Sequence, residues 1–235
     1  MLEYLRLKLL VTFVRLPVAI KPFTSGSRPQ PDEVINIPSR ESSRVIIANV
    51  YKATPRNGPQ PALINFHGSG FVLPLRGSDE EFCRHISTNT DYTVIDVAYR
   101  LTPEYPFPAA LEDVEDAIKW AMSPARTSAS SFSKGTIKSV IAYHPPVDIA
   151  QDPDSEVAPD PSGKPIPVSL VRIFNECYLQ NGVDPKDPRV SPTSLSVDAS
   201  PSNLFSDYLW AGYSCFRGRG TGRATEEGRR NRFGT

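Results

Sequence analysis

Any acyl or proton transfer here that uses an imidazole base must go through one of three residues: His67, His85 or His144. Histidine is the usual partner that activates a serine hydroxyl for attack on an acyl carbon. His67 lies in the run His67-Gly68-Ser69-Gly70, so Ser69 with His67 is one conceivable nucleophile–base pair. The same run has a competing use. Glycine allows main chain to approach a ligand closely, and preorganised amide N–H groups stabilise charge developing on an oxygen by ~3–4 kcal/mol per donor. A loop serving that purpose cannot also give up its geometry to a nucleophile. The plain alternative is that these residues are only a turn after a strand. His85 sits on a helical stretch and His144 stands before two prolines; neither has a credible hydroxyl partner. Gly218 to Gly222 (GRGTG) has the glycine content of a phosphate loop, but no apolar strand precedes it and no helix follows.

Composition narrows the field further. Lys plus Arg and Asp plus Glu are both 26, so no charge excess points to nucleic acid. Cys83, Cys177 and Cys215 are odd in number, widely spaced and free of a CxxC pair, which argues against a zinc site or a disulfide framework. No metal and no cofactor is expected. At 39% hydrophobic residues the 235-residue chain can bury one substantial core, and its 24 prolines favour extended segments and turns over long helices. At the N-terminus, Glu3, Arg6, Lys8 and Arg15 interrupt the apolar run before the ~20 residues a membrane-spanning helix requires, and no signal peptide is recognisable. An intracellular, cytoplasmic location is therefore the default expectation.

The elements that must position these residues follow from periodicity. Leu2, Leu5, Leu9, Phe13 and Leu16 recur at helical spacing, which predicts an amphipathic helix over 2–15 ended by Leu16-Pro17. That face either packs on the chain's own domain or makes weak contact with a membrane surface. Residues 23–43 read as a connector with a short extended piece. Strands are expected over 44–51, 62–66 and 92–98, with a helix over 79–89 capped by Ser78, its inner side Phe82, Cys83 and Ile86. A second helix runs over 108–122, with Leu111, Val114, Ile118 and Ala121 on one face. Alternating strands and helices signal a parallel α/β sheet. Beyond a Ser-rich linker at 123–135, a strand is expected over 137–143 and a helix over 168–179. The last 22 residues hold six of the 18 arginines and none of the eight lysines, and are expected to be disordered.

Two segments carry a family resemblance: NFHGSGFVLP, residues 65–74, and DVAYRLTPEYPFPAALEDVEDAIKW, residues 96–120. In this order they resemble the hormone-sensitive-lipase-like, fold-3 branch of the α/β-hydrolases, with weaker echoes at YHPPVD (143–148) and DPRVSP (187–192). The resemblance implies a parallel-sheet α/β-hydrolase fold and carboxylic ester hydrolase chemistry on a small ester or lipid-like ligand. It also implies an oxyanion-hole loop in which Gly68 and Ser69 present N–H donors while His67 and Gly70 shape the turn. Arg100, Glu104 and Asp113 are read as scaffold.

The other half of such a site is missing from the sequence. The family's nucleophile sits in a Gly-x-Ser-x-Gly elbow, yet glycines four apart occur only at Gly218 and Gly222, whose centre is Gly220. Ser214 stands where the family's acid is expected, and no histidine follows His144. The expectation is an N-terminal helix over 1–22, an incomplete hydrolase domain over 23–213 lacking the elbow strand and the C-terminal strands and helix, and a tail over 214–235. No catalytic residue is identifiable. Two other readings stay open at this point: a non-catalytic ligand-binding descendant, and the product of a defective gene model.

Overall fold

The structure, a computed structural model, describes residues 2–20, 29–54, 61–123, 146–155 and 166–194. The strand expected over 137–143 and the tail over 214–235 lie outside the described residues. Among the described residues four strands form one sheet: β1 (Glu33–Pro38), β2 (Val45–Tyr51), β3 (Ala62–Phe66) and β4 (Thr93–Val97), in the order β1-β2-β4-β3. The expected parallel pairing is that of β3 with β4, which run in register from Ala62↔Thr93 to Phe66↔Val97. β1 and β2 add antiparallel, so the described sheet is mixed.

Strand alternation sorts β4 between two helices. Ile95 and Val97 join Ile37, Ile46 and Ala48 on the face covered by α3 (Ala109–Ala121), through Ala117 and Trp120. Val94 faces the other way, with Tyr51 and Leu63, against Cys83 and Ile86 of α2 (Glu80–Asn89). Asp96 shares the Val94 side. Of the inner residues expected on α2, Phe82 is instead exposed, because α2 meets the sheet along the Cys83–Ile86 line. Its cap also differs: Asp79 occupies the N-cap position, and the Ser78 hydroxyl bonds the Asp79 carboxylate instead of capping the helix. On α3 the deepest positions are Ala109, Ala110, Asp113, Asp116, Ala117 and Ala121, while Leu111, Val114 and Ile118 are half-buried. Small side chains let this helix lie close to the sheet.

The N-terminal helix departs most from expectation. α1 (Leu2–Ile20) continues past Pro17, whose missing N–H removes one bond in the last turn without ending the helix. Its buried residues are Leu7 and Val11, which pack with Val72 and with Ile173, Phe174 and Cys177 of α4 (Val168–Tyr178). Leu2, Leu5, Leu9, Phe13 and Leu16, the stripe that periodicity singles out, are 47–82% exposed. The helix is apolar on two faces, and the 2-5-9-13-16 stripe is the outer one. No helix among the described residues is long and apolar enough to cross a membrane.

Candidate functional site

β3 and β4 finish level with one another, Phe66 opposite Val97. The loops that follow them therefore leave the sheet side by side, and this brings His67-Gly68-Ser69-Gly70 against Tyr99. The Tyr99 hydroxyl donates to the His67 carbonyl at 2.6 Å, and its ring stacks on the imidazole with centroids 4.7 Å apart. Ser69 Oγ lies 2.7 Å from the same phenol oxygen. The phenol proton is already committed to the His67 carbonyl, so the Ser69 hydroxyl must donate to Tyr99 and has no base of its own among the described residues. Burial pushes the Tyr99 phenol up to about 12, which keeps that proton in place across the physiological range.

Behind the glycines the turn is closed by N–H groups of Val72 and Leu73, which both donate to the Ser69 carbonyl (3.1 and 3.0 Å). Gly70 has φ +56°, and a side chain there would run into the Phe174 ring, so glycine is required both by conformation and by space. The next residue, Phe71, also has positive φ (61°), a conformation unusual for a bulky side chain. It is held by its neighbours: its carbonyl accepts from the Thr102 amide and hydroxyl, and its ring stacks on Tyr178 at 3.9 Å. From above, Arg15 of α1 donates to the carbonyls of Val72 (3.0 Å) and Thr102 (2.7 Å) and to Glu104. Burial alone would raise Glu104, but hydrogen bonds from Arg15 and Lys8 outweigh it and bring the carboxyl down to about 2. At Gly68 the situation is open, for an added Cβ would meet nothing within 4 Å.

His67 is only 3% exposed. Burial lowers its pKa against the pull of Asp96 and Asp79, and its Nδ1 has no hydrogen-bond partner among the described residues. Beneath it, Asn65 donates to both Asp79 (3.0 Å) and Asp96 (2.8 Å). Burial raises the Asp96 carboxyl above its ordinary value, with the Asn65 bond and His67 opposing. The structure thus brings the four loop residues together, with the Ser69 hydroxyl bonded to Tyr99 and to no imidazole among the described residues. His85 is exposed on α2, and its ring lies 3.4 Å from Asn89. His144 lies outside the described residues. Sequence reasoning missed Tyr99, Asn65 and Asp96, which only the pairing of the two strand ends brings to the loop. No cluster of three or more His, Cys, Asp or Glu among the described residues could hold a metal ion.

Comparison with known proteins agrees with this arrangement. A family model described as alpha/beta hydrolase fold matches residues 63–136, the stretch from β3 past α3. The chain is similar to Esterase LipI of Mycobacterium tuberculosis, 34% identical over 97 residues, covering 37% of this chain and 30% of that protein. It is also similar to 3-O-acetylpapaveroxine carboxylesterase CXE1 of Papaver somniferum, 39% identical over 87 residues, covering 35% of this chain and 27% of that one. These matches span about a third or less of the curated relatives' own length. Among solved structures, an esterase from Pyrobaculum calidifontis superposes with a TM-score of 0.62 over 88% of this chain and 80% of that one, at 24% identity, which speaks to fold alone. By its loop, its strand order and these likenesses, the chain has an α/β-hydrolase fold, and over part of their length it is similar to esterases of the hormone-sensitive-lipase-like, fold-3 kind.

Proposed function

We propose that this chain carries the oxyanion-stabilising part of a carboxylic ester hydrolase site, suited to a small ester or lipid-like ligand, and does not itself turn over esters. Gly68 and Ser69 are the amide donors, His67 and Gly70 fix the turn, and open space in front of Gly68 admits the acyl oxygen. The observation that carries the reading is the Ser69 hydroxyl, which is spent on Tyr99 and bonds no imidazole among the described residues. Supporting it, the sequence has no Gly-x-Ser-x-Gly elbow and no histidine beyond residue 144. The organisation that goes with it is a helix over 1–22 pinned to the loop by Arg15, a hydrolase part over 23–213, and a tail over 214–235. The outward apolar strip of residues 2–15 suits an apolar partner and offers nothing to nucleic acid.

The test is hydrolysis of 4-nitrophenyl acetate by the full chain beside its Ser69→Ala variant. Equal, near-background rates are expected. Turnover that disappears with Ser69→Ala overturns the reading and makes Ser69 a nucleophile.

A further inference from the structure

The exposed stripe of α1 reads the same in both directions. Leu2, Leu5, Leu9, Phe13 and Leu16 follow one another at steps of three, four, four and three, symmetric about Leu9. At about 100° per residue these five positions fall within an arc of about 80°. The opposite face is anchored by Leu7 and Val11 on Val72, Ile173, Phe174 and Cys177, so the stripe is held rigidly away from the protein. An isologous contact between two copies places one patch on itself across a two-fold axis. With that axis at Leu9 and the helices antiparallel, Leu9 meets Leu9, Leu5 meets Phe13, and Leu2 meets Leu16. Steps of three and four are those of helices that pack side by side with interlocking side chains.

We propose that α1 is a self-association element, pairing antiparallel through this stripe with α1 of a second copy of the chain. Charge favours this occupant over a lipid headgroup layer. Each cation of α1 is turned to the protein's own carboxylates: Arg6 to Glu3 and Glu176, Lys8 and Arg15 to Glu104. The stripe therefore carries no cation to draw it to an anionic surface, and no like charges face each other across the axis. A seam of one helix per copy is small, so the pair is a weak, concentration-dependent dimer.

Two measurements on the full chain test it. By sedimentation equilibrium at rising concentration, the mass should climb from 25.9 kDa towards twice that, and Leu9→Lys, which strikes the seam twice, should abolish the climb. Leu9 is 61% exposed, so that variant should melt like the parent. Because Cys83 and Cys177 are buried, cysteine cross-linking in a Cys215→Ser background reports the geometry directly. Leu9→Cys should give a disulfide-linked dimer on mild oxidation, Leu2→Cys alone should not, and Leu2→Cys mixed with Leu16→Cys should. A chain that stays monomeric at every concentration, whether or not it cosediments with phosphatidylcholine vesicles, overturns the proposal, as does linkage of Leu2→Cys as readily as Leu9→Cys.

Discussion

Two aspartates of this molecule, Asp113 and Asp96, are both completely buried, and their surroundings could hardly differ more. Asp113, on the inner side of α3, accepts from the guanidinium of Arg44, from the Arg100 side chain and from the Arg100 main-chain N–H at 2.9 Å. Arg100 also reaches Glu112, Glu41 and the Ala109 carbonyl, so the carboxylate sits at the centre of a network tying α3 to the ends of β2 and β4. Asp96, on β4 beneath the His67 loop, accepts from the Asn65 amide, and its second oxygen has no hydrogen-bond partner among the described residues. One buried acid is compensated by two cations and acts as a strut. The other faces a second carboxylate across a shared amide, and its cost is borne by the fold. Burial as such therefore says little about what a charge contributes; its partners decide.

The comparison predicts effects of graded size and opposite sign. Asp113→Ala leaves Arg44 and Arg100 turned inward without their shared carboxylate, and should cost about 3–5 kcal/mol, read from urea unfolding. A loss no larger than that of an exposed substitution would mean that the network is ornamental. Asn65→Ala removes the amide shared by Asp79 and Asp96 and should cost about 1–3 kcal/mol, since it strands buried acceptors. The smallest effect should be a gain. Asp96→Asn keeps the shape and removes a charge that burial disfavours, so it should stabilise the chain at neutral pH. The sign follows from linkage. With a folded-state pKa above the ordinary 3.8, Asp96 holds its proton more tightly folded than unfolded, so the parent loses stability as pH rises from about that value. The advantage of Asp96→Asn should accordingly grow over that range and vanish in strong acid. A variant that is less stable at every pH would show that Asp96 is held charged by something other than Asn65.

Of the two acids only Asp113 is legible in the sequence. Asp113 was readable as scaffold because it sits in a helix rich in charges beside an arginine-bearing turn. Asp96 stands in an apolar strand, where alternation alone puts a polar residue as readily towards solvent as under a loop. Other parts were legible for definite reasons. The run Ala62 to Phe66 stops at His67-Gly68, and β3 ends there, because glycine weakens a strand and marks where the chain turns away. β1 is legible only as a short extended piece within the 23–43 connector, because only Ile37 of its six residues is fully buried and little alternation shows. The inner face of α1 was misread because Leu7 and Val11 on one side and Leu2, Leu5, Leu9, Phe13 and Leu16 on the other are both helical stripes. Only the position of Val72 and α4 decides between them. Tyr99 is a tertiary partner of the loop, 32 residues beyond His67, and no local spacing marks it.

What separates a donor loop from an enzyme is an activated hydroxyl, and that is the claim to measure. A fluorophosphonate reacts with such a hydroxyl, which displaces fluoride and becomes covalently phosphonylated, and intact-protein mass spectrometry counts the adducts. The prediction is an unmodified mass after prolonged exposure at neutral pH, under conditions that label a competent serine esterase completely. One adduct per chain, mapped to Ser69 or to any other serine, would contradict the account.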